Sequence, residues 1–320
     1  MKAAFRAREG SPDVLTYGQV PDPEIGPDTV LIQVHAISLE GGDLLNRRIT
    51  PPASAHDVVG YQASGTVVAV GADVTRVRVG ESVVGFHWNG SHAELFAVNE
   101  AHAYPIPEGF DLDIAATIPI AFGTASDALF EFGSLKENET VLVQGAAGGV
   151  GLAAVQLASQ VGGRVIATAS SAERLAALTE FGASVGINYL DDSISKVVLQ
   201  HTHDQGADLI VDLAGGKSLD ELMAAVRYRG RFSVVGASSG DLPSFQFMDI
   251  LRKSLTLYGV FFGLEMATER AHRLIETIFA RFEKGELRMP IARTFSLEDA
   301  VEAHRYAEQG HPFGRVIIKP

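Results

Sequence analysis

The pattern of apolar and polar positions changes near residue 113. From there on, apolar runs typical of buried strands alternate with segments whose apolar residues recur at helical spacing. This order predicts βαβ units and a parallel sheet. The predicted strands are 141–143, 164–168, 185–189, 209–213, 231–235 and 254–262. The predicted helices include 171–181, 193–201, 218–227 and 268–284.

The first third of the chain has strand and turn patterns and few helical ones. The predicted strands are 1–6, 29–37, 64–70 and 81–86. We expect a C-terminal helix, 297–308, and a last strand, 315–318, to return to this β-rich module. The pattern therefore predicts two domains, one formed by 1–117 with 263–320 and the other by 118–262.

A glycine-rich turn joins the first strand of the α/β part to a helix. Ala146, Gly148 and Gly151 fit the fingerprint G-x-G-x-x-G with Ala in first place, and Gly149 is an additional glycine. The absent side chains permit a tight turn, close approach of a pyrophosphate and close packing of the helix on the strand. Free N–H groups at the helix N-terminus would bind the anion. The alternative is a glycine-rich turn without a ligand.

Composition and charge narrow the class of protein. The chain has 320 residues, 46% of them apolar, and no apolar run long enough to span a bilayer. We expect a cytoplasmic protein without a signal peptide. The absence of cysteine excludes disulfides and thiolate zinc sites. A net charge of −13 argues against a nucleic-acid partner.

Several motifs together resemble the zinc-free quinone oxidoreductase branch of the medium-chain dehydrogenase/reductase superfamily. They are GYQASGTVVAVGADVTRVRVGESVVGF (60–86), GSHAEL (90–95), AFGTASDAL (121–129), VLVQGAAGGVG (141–151) and INY (187–189). The resemblance covers nearly the whole chain. It implies a GroES-like catalytic domain (1–117, with 263–320) and a doubly wound Rossmann domain that binds NADPH (118–262), with the site in the cleft between them. It also implies a homodimer formed through the edge strand 255–262.

The resemblance also bears on metal binding. Zinc-using relatives carry a Gly-His-Glu segment where this chain has Gly60-Tyr61-Gln62, so we expect no catalytic zinc. His201, His203 and Asp204 follow a predicted helix in polar surroundings. We interpret them as a solvated loop rather than a metal site.

The end of the second Rossmann strand bears on the choice of cofactor. An NAD-binding unit places a carboxylate there, whereas residues 169–174 read ASSAER. The hydroxyls of Ser170 and Ser171 and the guanidinium of Arg174 suit a 2′-phosphate. In the resembled branch a lysine commonly takes the place of Arg174, and a tyrosine matching Tyr189 completes the pocket. These residues favour NADPH over NADH.

A purely structural interpretation of the same residues stays open. Ser170 or Ser171 would cap the helix, Glu173 would close a capping box with Ser170, and Arg174 would be solvated. Both interpretations can hold at once.

The resemblance extends the expected cofactor contacts beyond these motifs. Thr124 matches a threonine that faces the nicotinamide, and Phe262 and Gly263 are expected at the nicotinamide end. Arg315 is a weaker phosphate candidate, since it begins a terminal strand and would otherwise be exposed. The remaining expected contacts are Val150, Ala214, Gly215, Gly236 and Ala237.

Hydride transfer also needs a group that stabilises charge on the acceptor. The candidates are Asp43, Tyr61, His87 and Trp88, the only tryptophan of the chain. Trp88 would form an aromatic wall for a flat acceptor or simply pack, and Tyr61 would donate a proton or fill space. Quinone-reducing relatives carry tyrosines where this chain has Leu45 and Thr50, which departs from the quinone pattern.

Three functions remain open from the sequence. The first is an NADPH-dependent reductase of a quinone-like, electrophilic small molecule. The second is a reductase of activated C=C bonds in an enal, enone or enoyl thioester. The third is a cofactor-binding protein without catalysis, or one associated with RNA, which the acidic charge disfavours.

Overall fold

The computed structural model describes residues 1–242, 244–310 and 312–320, and the chain forms two compact units. Unit 1 comprises Met1–Ile120 and Gly263–Pro320, and unit 2 comprises Ala121–Phe262. The boundaries predicted from the sequence lie after residues 117 and 262. Among the described residues, no helix combines the length and the apolar character needed to cross a membrane.

From Thr140 onward the secondary structure alternates between strands and helices. In chain order the strands are β1 (Lys2–Arg6), β2 (Leu15–Gln19), β3 (Thr29–Ser38), β4 (Asp57–Val58), β5 (Gln62–Val70), β6 (Ser82–Phe86), β7 (Leu95–Asn99), β8 (Ala103–Pro105), β9 (Thr140–Gln144), β10 (Arg164–Ala169), β11 (Val185–Asn188), β12 (Ala207–Asp212), β13 (Val226–Val234), β14 (Thr256–Gly259), β15 (Ile291–Ser296) and β16 (Arg315–Lys319). The helices are α1 (Gly41–Ile49), α2 (Leu112–Ala115), α3 (Pro119–Ser126), α4 (Gly149–Gln160), α5 (Ala172–Glu180), α6 (Ile194–His201), α7 (Leu219–Ala225), α8 (Phe247–Lys253), α9 (Glu269–Glu283) and α10 (Ala300–Gln309).

Unit 2 contains the predicted parallel sheet, which is confirmed. Its strand order is β11-β10-β9-β12-β13-β14, and each of these pairings is parallel. The order reverses at β9, where the chain moves from one half of the sheet to the other. In such sheets ligands bind at the carboxyl ends of the strands near this point.

Unit 1 is built mainly from antiparallel strands. One sheet has the order β2-β1-β4, and a larger one has the order β15-β16-β3-β5-β6-β8, with β7 also paired to β3. The C-terminal strand β16 pairs with β3, so the predicted return of the chain to the β-rich module is confirmed. Alternating residues of β3 face a core that includes Val30, Ile32 and Val34.

Some predictions of individual elements are wrong. Helix α1 was not predicted, because Gly41 and Gly42 open it and its start depends on a capping box between Glu40 and Asp43. The strand predicted at 254–262 is only β14, since Ser254 adopts a left-handed conformation that ends α8. The helix predicted at 218–227 ends at Ala225, and β13 begins with the next residue.

Candidate functional site

The glycine turn of unit 2 lies between β9 and α4, as the fingerprint predicts. Gly145 adopts a positive φ of 77°. A Cβ on Gly151 would lie 2.5 Å from the carbonyl oxygen of Gly145 and 2.6 Å from the Cα of Ala146. On Gly148, the N-cap of α4, a Cβ would have one neighbour, the same oxygen at 3.8 Å. The turn is therefore tightly packed at Gly151 and open at Gly148, where a pyrophosphate would approach.

Strand β10 fixes the conformation of this turn through Thr168. The backbone N–H of Gly145 donates to Thr168 Oγ1 (3.1 Å), and that of Ala146 donates to the Thr168 carbonyl (3.2 Å). The Thr168 hydroxyl donates in turn to Gln144 Oε1 (2.7 Å). The turn that leads into α4 is thus held by side-chain and backbone hydrogen bonds to Thr168 of β10.

The residues predicted for the 2′-phosphate lie together at the end of β10. Arg174 Nη1 donates to Ser170 Oγ (2.6 Å), and Ser171 caps α5 by accepting from the Arg174 backbone N–H (3.3 Å). Tyr189 lies beside them, since its N–H donates to the Ala169 carbonyl (3.2 Å), and it is 39% exposed. The structural interpretation is therefore correct for Ser171. The capping box between Ser170 and Glu173 is wrong, because the N-cap is Ser171.

The ends of β12 and β13 are shaped by a residue that sequence reasoning missed. Asp212 is buried, and its Oδ1 accepts from the N–H groups of Ala214 (3.0 Å) and Gly215 (2.9 Å). Burial raises the pKa of Asp212. Nearby, a Cβ on Gly236 would lie 2.9 Å from the Leu213 carbonyl oxygen. Both predicted backbone pairs, 214–215 and 236–237, thus follow strand ends at the carboxyl edge of the sheet.

Phe262 is a packing residue of unit 2. It is 1% exposed, and a Cβ on Gly123 would lie 2.1 Å from its ring. Thr124 follows Gly123 on α3 and is half-buried. The contact of Phe262 and Thr124 with the nicotinamide stays a prediction.

In unit 1, three aromatic side chains form what we call the aromatic corner: Tyr61, Phe86 and Trp88. Their ring centroids are 5.1 to 6.2 Å apart, and each pair meets edge to face. Two glycines leave room for the rings. A Cβ on Gly42 would lie 2.8 Å from Tyr61 Oη, and one on Gly263 would lie 2.5 Å from the Trp88 ring. Trp88 is 38% exposed, so the corner offers an aromatic surface.

The other two candidates for the acceptor site in unit 1 are His87 and Asp43. His87 is exposed, and its Nδ1 lies 3.0 Å from the carbonyl and side-chain oxygens of Asn89. Asp43 is 2% exposed and accepts from the Glu40 N–H (2.7 Å), which gives it a capping role in α1. Burial, followed by the charge of Glu40, raises the pKa of Asp43 well above its usual range.

The predicted role of Arg315 is wrong. It is buried rather than exposed, and its Nη2 donates to Ser38 Oγ (2.9 Å) and to the Leu39 carbonyl (2.6 Å). It also forms an ion pair with the buried Glu40. The guanidinium is therefore occupied inside unit 1 and is unsuited to bind a phosphate.

Gln62 and the residues that follow α6 have structural roles in this fold. Gln62, in the segment where zinc-using relatives carry ligands, donates to the Ala116 carbonyl and accepts from the Ile120 N–H (3.1 Å). His203 and Asp204 are exposed turn residues with positive φ, so the loop interpretation is correct for these two, whereas His201 is the last residue of α6. In the described ranges, no three or more His, Asp or Glu side chains form a group that could hold a metal ion.

Comparisons with known proteins agree with this architecture. Residues 26–108 match the family described as alcohol dehydrogenase GroES-like domain, and residues 149–277 match the family described as zinc-binding dehydrogenase. The chain belongs to the medium-chain dehydrogenase/reductase superfamily and is of the quinone oxidoreductase type.

Three relatives illustrate the range of named activities. The quinone oxidoreductase of Pseudomonas aeruginosa is 28% identical over 98% of both chains. A mycobacterial protein solved in complex with NADPH is 28% identical, with a TM-score of 0.94 and full coverage of both chains. A 2-haloacrylate reductase structure is 26% identical, with a TM-score of 0.86, over 100% of this chain and 99% of that one.

Proposed function

We propose that this protein is an NADPH-dependent reductase that transfers hydride to a quinone-like acceptor. The observation that carries the proposal is the group formed by Ser170, Ser171 and Arg174 at the end of β10, where an NAD-binding unit has a carboxylate. The similarity to the quinone oxidoreductase of Pseudomonas aeruginosa supports the acceptor class. The similarity to a mycobacterial protein solved with NADPH supports the cofactor.

In this proposal NADPH supplies the hydride, and the protein binds and orients the reactants. The N–H groups at the start of α4 hold the pyrophosphate, because an open helix N-terminus favours an anion. Arg174 and Ser170 hold the 2′-phosphate through charge-assisted hydrogen bonds. Tyr189, which is partly exposed beside them, borders the adenosine.

The acceptor is proposed to lie against the aromatic corner. Rings that meet edge to face leave the exposed surface of Trp88 for stacking on a flat molecule. The Tyr61 hydroxyl is the hydrogen-bond donor assigned to the acceptor oxygen. Burial raises the pKa of Tyr61, so this hydroxyl stays protonated at neutral pH.

The proposal is tested by turnover with a panel of acceptors. The purified protein is mixed with NADPH, and oxidation is followed with benzoquinones, naphthoquinones, enones and enoyl thioesters. The proposal expects turnover with the quinones. Activity restricted to the C=C substrates would reject the quinone assignment, and binding of NADPH without turnover of any acceptor would support a cofactor-binding role instead.

The second candidate is reduction of an activated C=C bond. It is favoured by the similarity over nearly the full length to a 2-haloacrylate reductase. This chain has Leu45 and Thr50 where quinone-reducing relatives carry tyrosines, and this difference also favours the second candidate. The same acceptor panel separates the two activities.

Arg174→Ala is expected to weaken NADPH binding selectively. Loss of a charged hydrogen bond costs about 1.5 to 3 kcal/mol, or roughly a 10- to 150-fold increase in Kd. The cap of α5 survives, because Ser171 accepts from the backbone N–H of residue 174. Calorimetric titration of both cofactors measures the effect. NADH is the internal control, and Arg174→Lys, which keeps the charge, is expected to lose less. Equal losses for NADPH and NADH would contradict the role of Arg174.

We also propose that the protein is a homodimer formed through β14. This strand is the edge of the parallel sheet, and apolar side chains of unit 2 are exposed, among them Tyr228 (63%), Phe247 (75%) and Phe261 (61%). An edge strand presents backbone N–H and C=O groups that favour pairing with a second strand.

Gly259→Pro is expected to give a monomer. The N–H of Val260 donates to Val234 in β13, so by alternation the N–H of Gly259 points to the free edge. A Cβ on Gly259 would meet no atom within 4 Å, which makes Gly259→Ala a matched control. Light scattering after size exclusion measures the mass. A dimeric Gly259→Pro protein, or a monomeric wild type, would reject pairing through this edge.

A further inference from the structure

Two histidines that the proposed function does not use lie side by side in unit 1. His92 precedes β7, and His304 lies on α10, 212 residues away in sequence. Both are 0% exposed, and their Nε2 atoms are 3.2 Å apart. At this distance one Nε2 must carry the proton and the other must accept it, because two lone pairs would repel each other.

The remaining ring nitrogens indicate which histidine donates. His92 Nδ1 lies 3.4 Å from Ser91 Oγ, whereas His304 Nδ1 has no hydrogen-bond partner among the described residues. A buried orphan N–H is rarer in proteins than an acceptor that lacks a partner. We therefore assign the His304 proton to Nε2, from which it is donated to His92 Nε2. The proton of His92 then lies on Nδ1, facing Ser91.

The ring of His92 supports the turn that precedes Tyr61. Gly60 adopts a φ of 99°, and a Cβ there would lie 1.9 Å from His92 Nδ1. Backbone hydrogen bonds also join the segment 87–92 to this turn. The N–H of His92 donates to the Val59 carbonyl (3.0 Å), and the N–H of His87 donates to the Tyr61 carbonyl (2.9 Å). The His92 ring therefore lies against the turn, and backbone hydrogen bonds join the turn to the segment 87–92.

We propose that the His92–His304 hydrogen bond positions the aromatic corner for the acceptor. Helix α10 supplies the donor that fixes the His92 ring, the ring supports Gly60, and the turn and the segment 87–92 carry Tyr61 and Trp88. The two histidines are thus positioning residues that act through Tyr61 and Trp88. This role rests on the proposed function, since it assumes that the acceptor meets the aromatic corner.

The test compares two substitutions of the donor. His304→Gln keeps an N–H group near the position of Nε2, and His304→Phe keeps the ring shape but removes the donor. The KM for the quinone and the Kd for NADPH are measured for each variant. In parallel, acrylamide quenching of Trp88 fluorescence reports the local structure, since Trp88 is the only tryptophan.

The Phe variant is expected to raise the acceptor KM about tenfold, the equivalent of one lost hydrogen bond, and to change the quenching of Trp88. Its Kd for NADPH should stay within about twofold, because Arg174 and the glycine turn belong to unit 2. In the Gln variant, the acceptor KM and the quenching of Trp88 should both stay close to the wild-type values. Should His304→Phe fail to fold, His304→Asn provides the same comparison, since its shorter amide does not reach His92 Nε2.

An unchanged KM and unchanged Trp88 quenching in the donor-free variant would overturn the positioning role. Equal changes in the Gln and Phe variants would also overturn it, because they would indicate a role in packing alone. The fluorescence measurement needs no substrate. A changed quenching in a protein that turns over no acceptor would therefore reject the proposed function while leaving the positioning of Trp88 supported.

Discussion

The free energy of unfolding is expected to decrease steeply as the pH is lowered below 6.5. His92 and His304 are fully buried, and the charged groups on the surrounding elements include Arg47, paired with Glu308 on α10. Burial lowers the pKa of His92 to about 3. Burial, then His92 and Arg47, lowers the pKa of His304 well below its usual value. Both rings therefore stay neutral in the folded protein.

The sign of the effect follows from proton uptake. In the unfolded chain both histidines titrate near pH 6.5, so below that value the unfolded state binds more protons than the folded state. Their contribution to stability is complete above pH 6.5 and is lost as the pH falls toward the folded pKa. Each group contributes a slope of about 1.4 kcal/mol per pH unit between its folded and unfolded pKa, so His92 alone removes about 2 to 3 kcal/mol between pH 6.5 and 4.5. That loss is a large part of a typical total stability.

Buried carboxyl groups act in the opposite direction. The pKa values of Glu40 and Asp43 are raised chiefly by burial, so these groups hold protons more tightly when folded and add stability as the pH falls. A variant that keeps them isolates the histidine effect. Compared with the wild type, His304→Gln should reduce the pH slope by about 1.4 kcal/mol per unit.

Urea unfolding at several pH values, followed by Trp88 fluorescence, measures this effect in unit 1, which contains Trp88 and both histidines. If the free energy of unfolding changed with pH in the same way in the wild type and in His304→Gln, the buried histidine pair would not be the source of the acid sensitivity.

Gly151→Ala is expected to reduce both the stability of unit 2 and its affinity for NADPH. The new methyl group would lie 2.5 Å from the Gly145 carbonyl oxygen and 2.6 Å from the Ala146 Cα, both of them backbone atoms. Such overpacking costs about 1 to 3 kcal/mol, and the helical preference of Ala offsets roughly 1 kcal/mol of it. Relief of the contact would shift the start of α4 away from the turn, and the N–H groups that hold the pyrophosphate would move with it.

Gly148→Ala is the matched control. A methyl group there would meet only the Gly145 carbonyl oxygen at 3.8 Å, and the backbone of Gly148 (φ −81°, ψ 174°) is open to any residue. Its melting temperature should stay close to that of the wild type, whereas NADPH should bind more weakly because the methyl group lies on the face assigned to the pyrophosphate. Thermal unfolding and calorimetric titration separate the two losses. Wild-type affinity of Gly148→Ala for NADPH would place the pyrophosphate elsewhere.

The Rossmann part of the fold could be predicted from local patterns. The buried strand β9 is a continuous apolar run, and α5 shows helical spacing, so periodicity alone located both. The glycine turn between β9 and α4 followed from the fingerprint. In these segments the local sequence and the tertiary structure favour the same conformation.

Helix α1 could not be located in the same way. Its first residues are Gly41 and Gly42, which disfavour a helix, and its start depends on a capping box whose acids, Glu40 and Asp43, are buried. Burial of Glu40 depends on the ion pair with Arg315, more than 250 residues later in the chain. A single sequence gives no signal for such a pairing.

The buried histidine pair was missed for the same reason. His92 lies within the motif GSHAEL and His304 within the predicted helix 297–308, and neither segment carries a sequence signal for the other. Their contact joins segments 212 residues apart. Likewise, the capping role of Asp212 depends on the backbone of Ala214 and Gly215 folding back on it.

The hydrogen bonds of Thr168 have a consequence for the thermodynamics of ligand binding. Because Gly145 and Ala146 are already bonded to Thr168, folding itself has restricted the turn. A phosphate ligand therefore binds a preorganised backbone, and little conformational entropy is lost on association. More of the favourable contact free energy then appears as affinity.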